Sequence, residues 1–200
     1  MKELQKHIIV GITGGIGSGK TTISKYFEGF GIPVYYADLE AKALMNRSKV
    51  IKRKLIALFG DDAYINNTLN RDYLRSQIFK EKKLLSKMNA IVHPKVGAHY
   101  KRWAKKQNAP YILKEVAIIF ENNLQSQYDY IITVIADKEE RVKRVMQRDN
   151  SSRDSVKAII RNQFSDQEKI KKSDFVIENN DLEAAKLQAQ IIHNNLISNI

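Results

Sequence analysis

The chain reads as a three-layer α/β protein, a parallel sheet with helices on both faces. Three observations predict this. Short apolar runs alternate with segments of helical periodicity, as successive βα units do. The first apolar run opens onto a glycine-crowded loop, "GITGGIGSGKTT" (11–22), which leads straight into a helical pattern. The hydrophobic share is 43% over 200 residues, which suffices for a sizeable core.

The elements follow in order. Strands are expected over 7–13 ("HIIVGIT"), 33–37 ("PVYYA"), 111–119 ("YILKEVAII"), 130–136 ("YIITVIA") and 174–178 ("DFVIE"). A helix follows Gly19, with Ile23, Tyr26 and Phe27 as its buried face. Further helices are expected through much of 40–105 and over about 138–148, 152–165 and 181–198. In the last, Leu182, Ala185, Ala189, Ile192 and Leu196 recur at helical spacing. About 70 residues separate the second and third strands, far more than one crossover helix needs, so a helical insertion is expected there.

Charge singles out the same interval. From Lys42 to Lys106 there are 17 Lys and Arg against 4 Asp and Glu, and the rest of the chain is nearly balanced. The net charge of +12 thus comes from one contiguous third, which suits either a solvated surface or a polyanionic partner. There is no cysteine, which excludes disulfides, thiolate-bound zinc and thiol nucleophiles. No apolar run is long enough to span a bilayer, and "HIIVGIT" is too short for a signal peptide. A cytoplasmic protein without membrane contact is expected.

Residues Gly14 to Thr21 fit G-x-x-x-x-G-K-[ST] at every fixed position. Glycines let main-chain N–H groups surround phosphate oxygens, and the following helix directs its positive end at the same anion. The phosphates of a nucleotide are therefore expected on Gly15, Ile16, Gly17, Ser18, Gly19, Lys20, Thr21 and Thr22. Lys20 should reach the β- and γ-phosphates, and the Thr21 hydroxyl should ligate Mg²⁺.

Asp38 falls at the end of the second strand, where open α/β sheets gather ligands. It can serve as a general base for an attacking hydroxyl or cap the helix "LEAKAL", and its position leaves both roles open. In "EERVKRVMQRD", Arg141, Arg144 and Arg148 share one helical face, while Val142, Val145 and Met146 share another. Such arginines suit a lid over transferring phosphates, or simply a solvated basic face. No N-K-x-D guanine-reading motif occurs.

Beyond the loop, the chain carries "YYADLEAKAL" (35–44), "LRSQIF" (74–79), "MNAIVHPKV" (88–96), "IIFEN" (118–122), "RVMQRD" (144–149), "RNQ" (161–163) and "SDFVIENN" (173–180). In this order they resemble the dephospho-CoA kinase family over nearly the full length. The resemblance implies a P-loop kinase with a five-stranded parallel sheet, a helical substrate-binding insertion and a small helical lid. The corresponding limits are a core of 1–39, 107–137 and 166–200, a CoA-binding insertion of 40–106 and a lid of 138–165. It implies transfer of the ATP γ-phosphate to the 3′-hydroxyl of dephospho-CoA, with Asp38 as base and substrate ligand. Lys20 and Arg148 join it as catalytic groups. Gln163 lies in or beside the lid, and Asn179 is in a loop that approaches adenine. Arg75 is expected at the substrate, and for His93 contact with substrate and ordering of the fold both stay open. Many relatives read "PLLFE" where this chain has Ala117-Ile118-Ile119-Phe120-Glu121, and Glu115 receives no role.

Two other readings compete. A different small-molecule kinase would use another acceptor. A nucleic-acid binder would use the basic third, but Tyr64, Tyr73, Tyr100 and Trp103 are too sparse for a stacking platform. A monomer or weak homo-oligomer without nucleic acid is expected.

Overall fold

The computed structural model describes residues 7–199; residues 1–6 and 200, included in the expected core limits, lie outside them. Strand β1 (Ile8–Thr13) leads through the glycine loop into α1 (Lys20–Gly29), and β2 (Val34–Tyr36) passes directly into α2 (Ala37–Arg47). Next come α3 (Lys49–Phe59), a hairpin of β3 (Tyr64–Ile65) and β4 (Thr68–Leu69), α4 (Arg71–Lys80) and α5 (Lys83–Ala104). The chain continues with β5 (Tyr111–Glu115), β6 (Tyr130–Ile135), α6 (Lys138–Asp149), α7 (Arg153–Arg161), α8 (Asp166–Ile170), β7 (Phe175–Glu178) and α9 (Leu182–Ser198).

Contacts divide the chain into two compact units. One runs up to Tyr36 and resumes at Gln107, and the other is Ala37–Lys106. The first carries a parallel sheet of order β2-β5-β1-β6-β7. β1 is central, so the loop after it opens at the carboxyl end of the middle strand, where chain order reverses. Helices α1 and α9 cover one face: Ile23, Phe27, Ala185, Ala189 and Leu196 pack with strand residues such as Val10 and Ile132. The periodicity of 182–196 thus becomes a buried stripe, although Leu182 itself is exposed.

All five expected strands form, four of them trimmed by one or two residues and one by four. β5 stops at Glu115; the Val116 N–H still donates to the Ile12 carbonyl of β1 at 3.0 Å, and residues 117–119 leave the ladder while Val116 and Ile119 stay buried. An irregular segment tucked against a sheet is as apolar as a strand, so the run does not show where the ladder ends. The helix expected over 152–165 ends early, and a further short helix follows beyond its expected limit. α7 ends at Arg161, and Ser165 begins α8 with a reciprocal cap in which its side chain accepts from Glu168 N–H while the Glu168 carboxylate accepts from Ser165 N–H.

The second unit packs α2–α5 around Leu44, Ile51, Leu55, Phe59, Leu74 and Val92. Its hairpin turns on Asn66 and Asn67, both left-handed (φ 48° and 65°), the type I′ geometry that matches strand twist. The Tyr64 and Tyr73 hydroxyls donate to the carbonyls of Met45 and Phe59, so these aromatics serve the packing. Of the 17 basic residues between Lys42 and Lys106, all but Lys52 are exposed. No helix among the described residues is long and apolar enough to cross a membrane.

Candidate active site

In the sheet-bearing unit the chain from Gly14 to Lys20 turns back on itself, with Ser18 N–H donating to the Gly15 carbonyl at 3.2 Å. Gly19 starts α1 in a left-handed conformation (φ 90°), and a Cβ there would lie 2.0 Å from Asn179 Nδ2. Only glycine fits, by backbone and by space. Lys20 Nζ folds over the loop and donates to the carbonyls of Gly14 (2.9 Å) and Gly15 (3.2 Å). Lys20, Thr21 and Thr22 share a cavity of about 310 Å³ with Gly17, Gly19, Arg144, Val145 and Arg148. A helix N-terminus, a lysine and two arginines thus converge on one space, as bound phosphates require.

Beside it, Thr21 Oγ1 donates to Glu115 Oε1 at 3.1 Å, and Ser24 Oγ donates to Glu115 Oε2 at 3.4 Å. Glu115, without a role in the sequence reading, is delivered here by the end of β5. The Thr21 hydroxyl and the Glu115 carboxylate are hard oxygen donors of the kind Mg²⁺ takes in company with phosphates and water. Among the described residues no cluster of three His, Cys, Asp or Glu offers an all-protein metal cage. The neighbouring Tyr36 phenol is pushed above its ordinary range by burial and by the Glu28 and Glu115 carboxylates, and so stays protonated.

The three arginines of α6 separate. Arg148 is exposed and held by Asp149, with two 2.7 Å bonds that raise its pKa further. Arg144 donates through Nη2 to the Asn179 carbonyl at 2.9 Å. Arg141 lies on the same side of α6 but is 5% exposed and packs under the loop, so one member of the arginine row is a buried support and not a solvated cation. Burial of that guanidinium is compensated by Asp166 and the Ile16 carbonyl. Asn179 is buried, and its side-chain amide donates to the Ser18 carbonyl at 2.8 Å. Its position is thus within the loop's own support.

Glu121 is fully engaged on one oxygen: Oε1 accepts from Lys169 Nζ at 2.5 Å and from Phe164 N–H at 3.0 Å. The lysine side chain is wholly buried. Glu121→Ala leaves that ammonium without its partner, and is expected to lower stability by about 3–5 kcal/mol. Urea unfolding followed by circular dichroism checks this, and an unchanged midpoint would show that water reaches Lys169.

The remaining expected residues lie in the second unit. Asp38 is exposed in the first turn of α2, which begins at Ala37, so it stands inside the helix and not at its cap. Arg75 is exposed on α4 beside Asp72 at 3.6 Å, and His93 is exposed on α5. Sequence reasoning passed over His99, which meets Arg47 at 3.0 Å while Arg47 pairs with Glu40 at 2.7 Å.

The family model described as dephospho-CoA kinase matches residues 8–184. A Fusobacterium nucleatum dephospho-CoA kinase is 39% identical over 174 residues, covering 86% of this chain and 90% of that protein. Among solved structures, TT1252 from Thermus thermophilus superposes with a TM-score of 0.86 at 32% identity, covering 95% of this chain and 98% of that one. Dephospho-CoA kinase from Campylobacter jejuni, 24% identical with a TM-score of 0.69 over 96% and 98% of the two chains, shares the fold. With a phosphate loop at the centre of a parallel sheet and a family match over most of its length, this chain belongs to the dephospho-CoA kinase family.

Proposed function

We propose that this chain transfers the γ-phosphate of ATP to the 3′-hydroxyl of the dephospho-CoA ribose, giving CoA and ADP in the last step of CoA synthesis. The observation that carries the reading is the convergence of Lys20, Thr21, Arg144 and Arg148 on one cavity at the start of α1, in a chain of this family.

The roles follow from residue chemistry. The N–H groups of Gly15 and of 17–22 cradle the phosphates, that of Ile16 being held by Gln163, and Lys20 exchanges its loop carbonyls for β- and γ-phosphate oxygens. Thr21 and Glu115 would hold Mg²⁺, which would supply neutralisation of phosphate charge. Arg148 leaves Asp149 for the transferring phosphoryl group, where a guanidinium stabilises spreading charge. The segment 138–165 serves as the lid that excludes water. Asp38 takes the proton of the attacking 3′-hydroxyl. Arg75 and the exposed cations of 40–106 attract the acceptor's pyrophosphate, and His93 contacts the same substrate. Asn179 holds the loop and Arg144 at the adenine end. The enzyme works in the cytoplasm as a monomer or weak homo-oligomer, without nucleic acid.

The test is ADP release from Mg·ATP with dephospho-CoA, adenosine, AMP, CMP or buffer alone. Turnover with dephospho-CoA only, with CoA as product, is expected. Turnover with another acceptor or with water would overturn the substrate and leave the nucleotide site standing.

A further inference from the structure

Ile16 is the apex of the phosphate loop, and side chains from distant parts of the chain hold both of its main-chain polar groups. Its N–H donates to Gln163 Oε1 at 2.9 Å, and its carbonyl accepts from Arg141 Nε at 2.9 Å. Arg141 is fixed in turn by Asp166, whose two carboxylate oxygens accept from Nη1 at 2.9 and 3.0 Å. The guanidinium presses so closely on the loop that a Cβ at Gly15 would lie 1.9 Å from Nη2. The Ile16 side chain packs with Val142, Val145 and Val156. Gln163 and Asp166 flank a turn whose Phe164 N–H is held by Glu121, so the support is itself anchored.

A loop with glycines on either side of its apex has few side chains of its own to order it, and every N–H that must face a phosphate otherwise loses freedom on binding. Here that ordering is done in advance and from outside. We propose that Gln163, Arg141 and Asp166 are positioning residues, which hold the Ile16 peptide so that the phosphate loop is preformed when nucleotide arrives. This rests on the assignment of the loop to ATP phosphates and is independent of the acceptor.

Gln163 gives the sharpest test, because it touches the loop through a single oxygen. Gln163→Leu removes the acceptor at similar volume, and Gln163→Glu returns one. The leucine variant is expected to bind ADP about tenfold more weakly and to lose about tenfold in kcat at saturating ATP, with the KM for dephospho-CoA unchanged. Exchange of the Ile16 amide proton, followed by NMR, should quicken by about tenfold in the leucine variant and return to the wild-type rate in the glutamate variant. Wild-type ADP affinity in Gln163→Leu would overturn the proposal. So would Ile16 exchange as fast in Gln163→Glu as in Gln163→Leu, since the residue would then only fill space in its turn. A wild-type protein that binds ADP but ignores dephospho-CoA would refute the acceptor, while the ADP and exchange measurements still decide this inference.

Discussion

Lys20→Ala is expected to lower kcat by about 10² to 10³, because it removes the ammonium aimed at the β- and γ-phosphates from a cavity where preorganised charge stabilises the transferring group. Folding should hardly notice. Nζ donates to the carbonyls of Gly14 and Gly15, but the lysine itself is only partly buried and lines the cavity, so water can take the place of its ammonium. A stability change below about 1 kcal/mol is expected. Steady-state kinetics beside a urea titration separates the two effects. A Lys20→Ala enzyme with wild-type turnover would remove the loop from phosphoryl transfer.

The second large effect belongs to Asp38. If its carboxylate takes the proton of the attacking hydroxyl, Asp38→Asn lowers kcat by about 10² to 10⁴ while ATP affinity stays close to wild type. The competing role is now narrower than the sequence allowed. Asp38 stands within the first turn of α2, so its helical contribution is attraction to the positive helix end, about 0.3–1 kcal/mol, and not a capping bond. An Asp38→Asn enzyme that turns over normally but unfolds slightly earlier would leave Asp38 only that role. Rapid-quench measurement of the first turnover reports the chemical step directly.

What the sequence made legible was local. The phosphate loop is a contiguous pattern whose residue types are imposed by one function, and the strands are apolar runs because a sheet covered on both sides buries both of its faces. The insertion showed itself by length and charge together. What could not be read depends on register or on distant partners. Glu115 reaches Thr21 because β5 lies beside β1 and ends level with the start of α1. Arg141 looked like one member of an exposed row until Asp166 and the Ile16 carbonyl accounted for it, and Ile16 is 125 residues away in sequence. The α7–α8 break is different in kind, since Ser165 and Glu168 carry the spacing of a reciprocal cap that the sequence displayed. The hairpin too was signalled, by two adjacent asparagines between the β-favouring pairs Tyr64-Ile65 and Thr68-Leu69.

The register of β2 against β5 carries a consequence for the order in which the chain folds. Val34–Tyr36 pairs with Leu113–Glu115, so the edge strand closes a loop containing all of residues 37–106. Closing so long a loop while it is unfolded costs chain entropy before any ladder bond repays it. An inserted unit with its own core, built on Ile51, Leu55 and Phe59, shortens the effective loop once it has collapsed. The same holds for β1, whose two neighbours β5 and β6 both follow residue 106, so each ladder of the central strand spans the insertion, and its collapse shortens the closure that seats the phosphate loop.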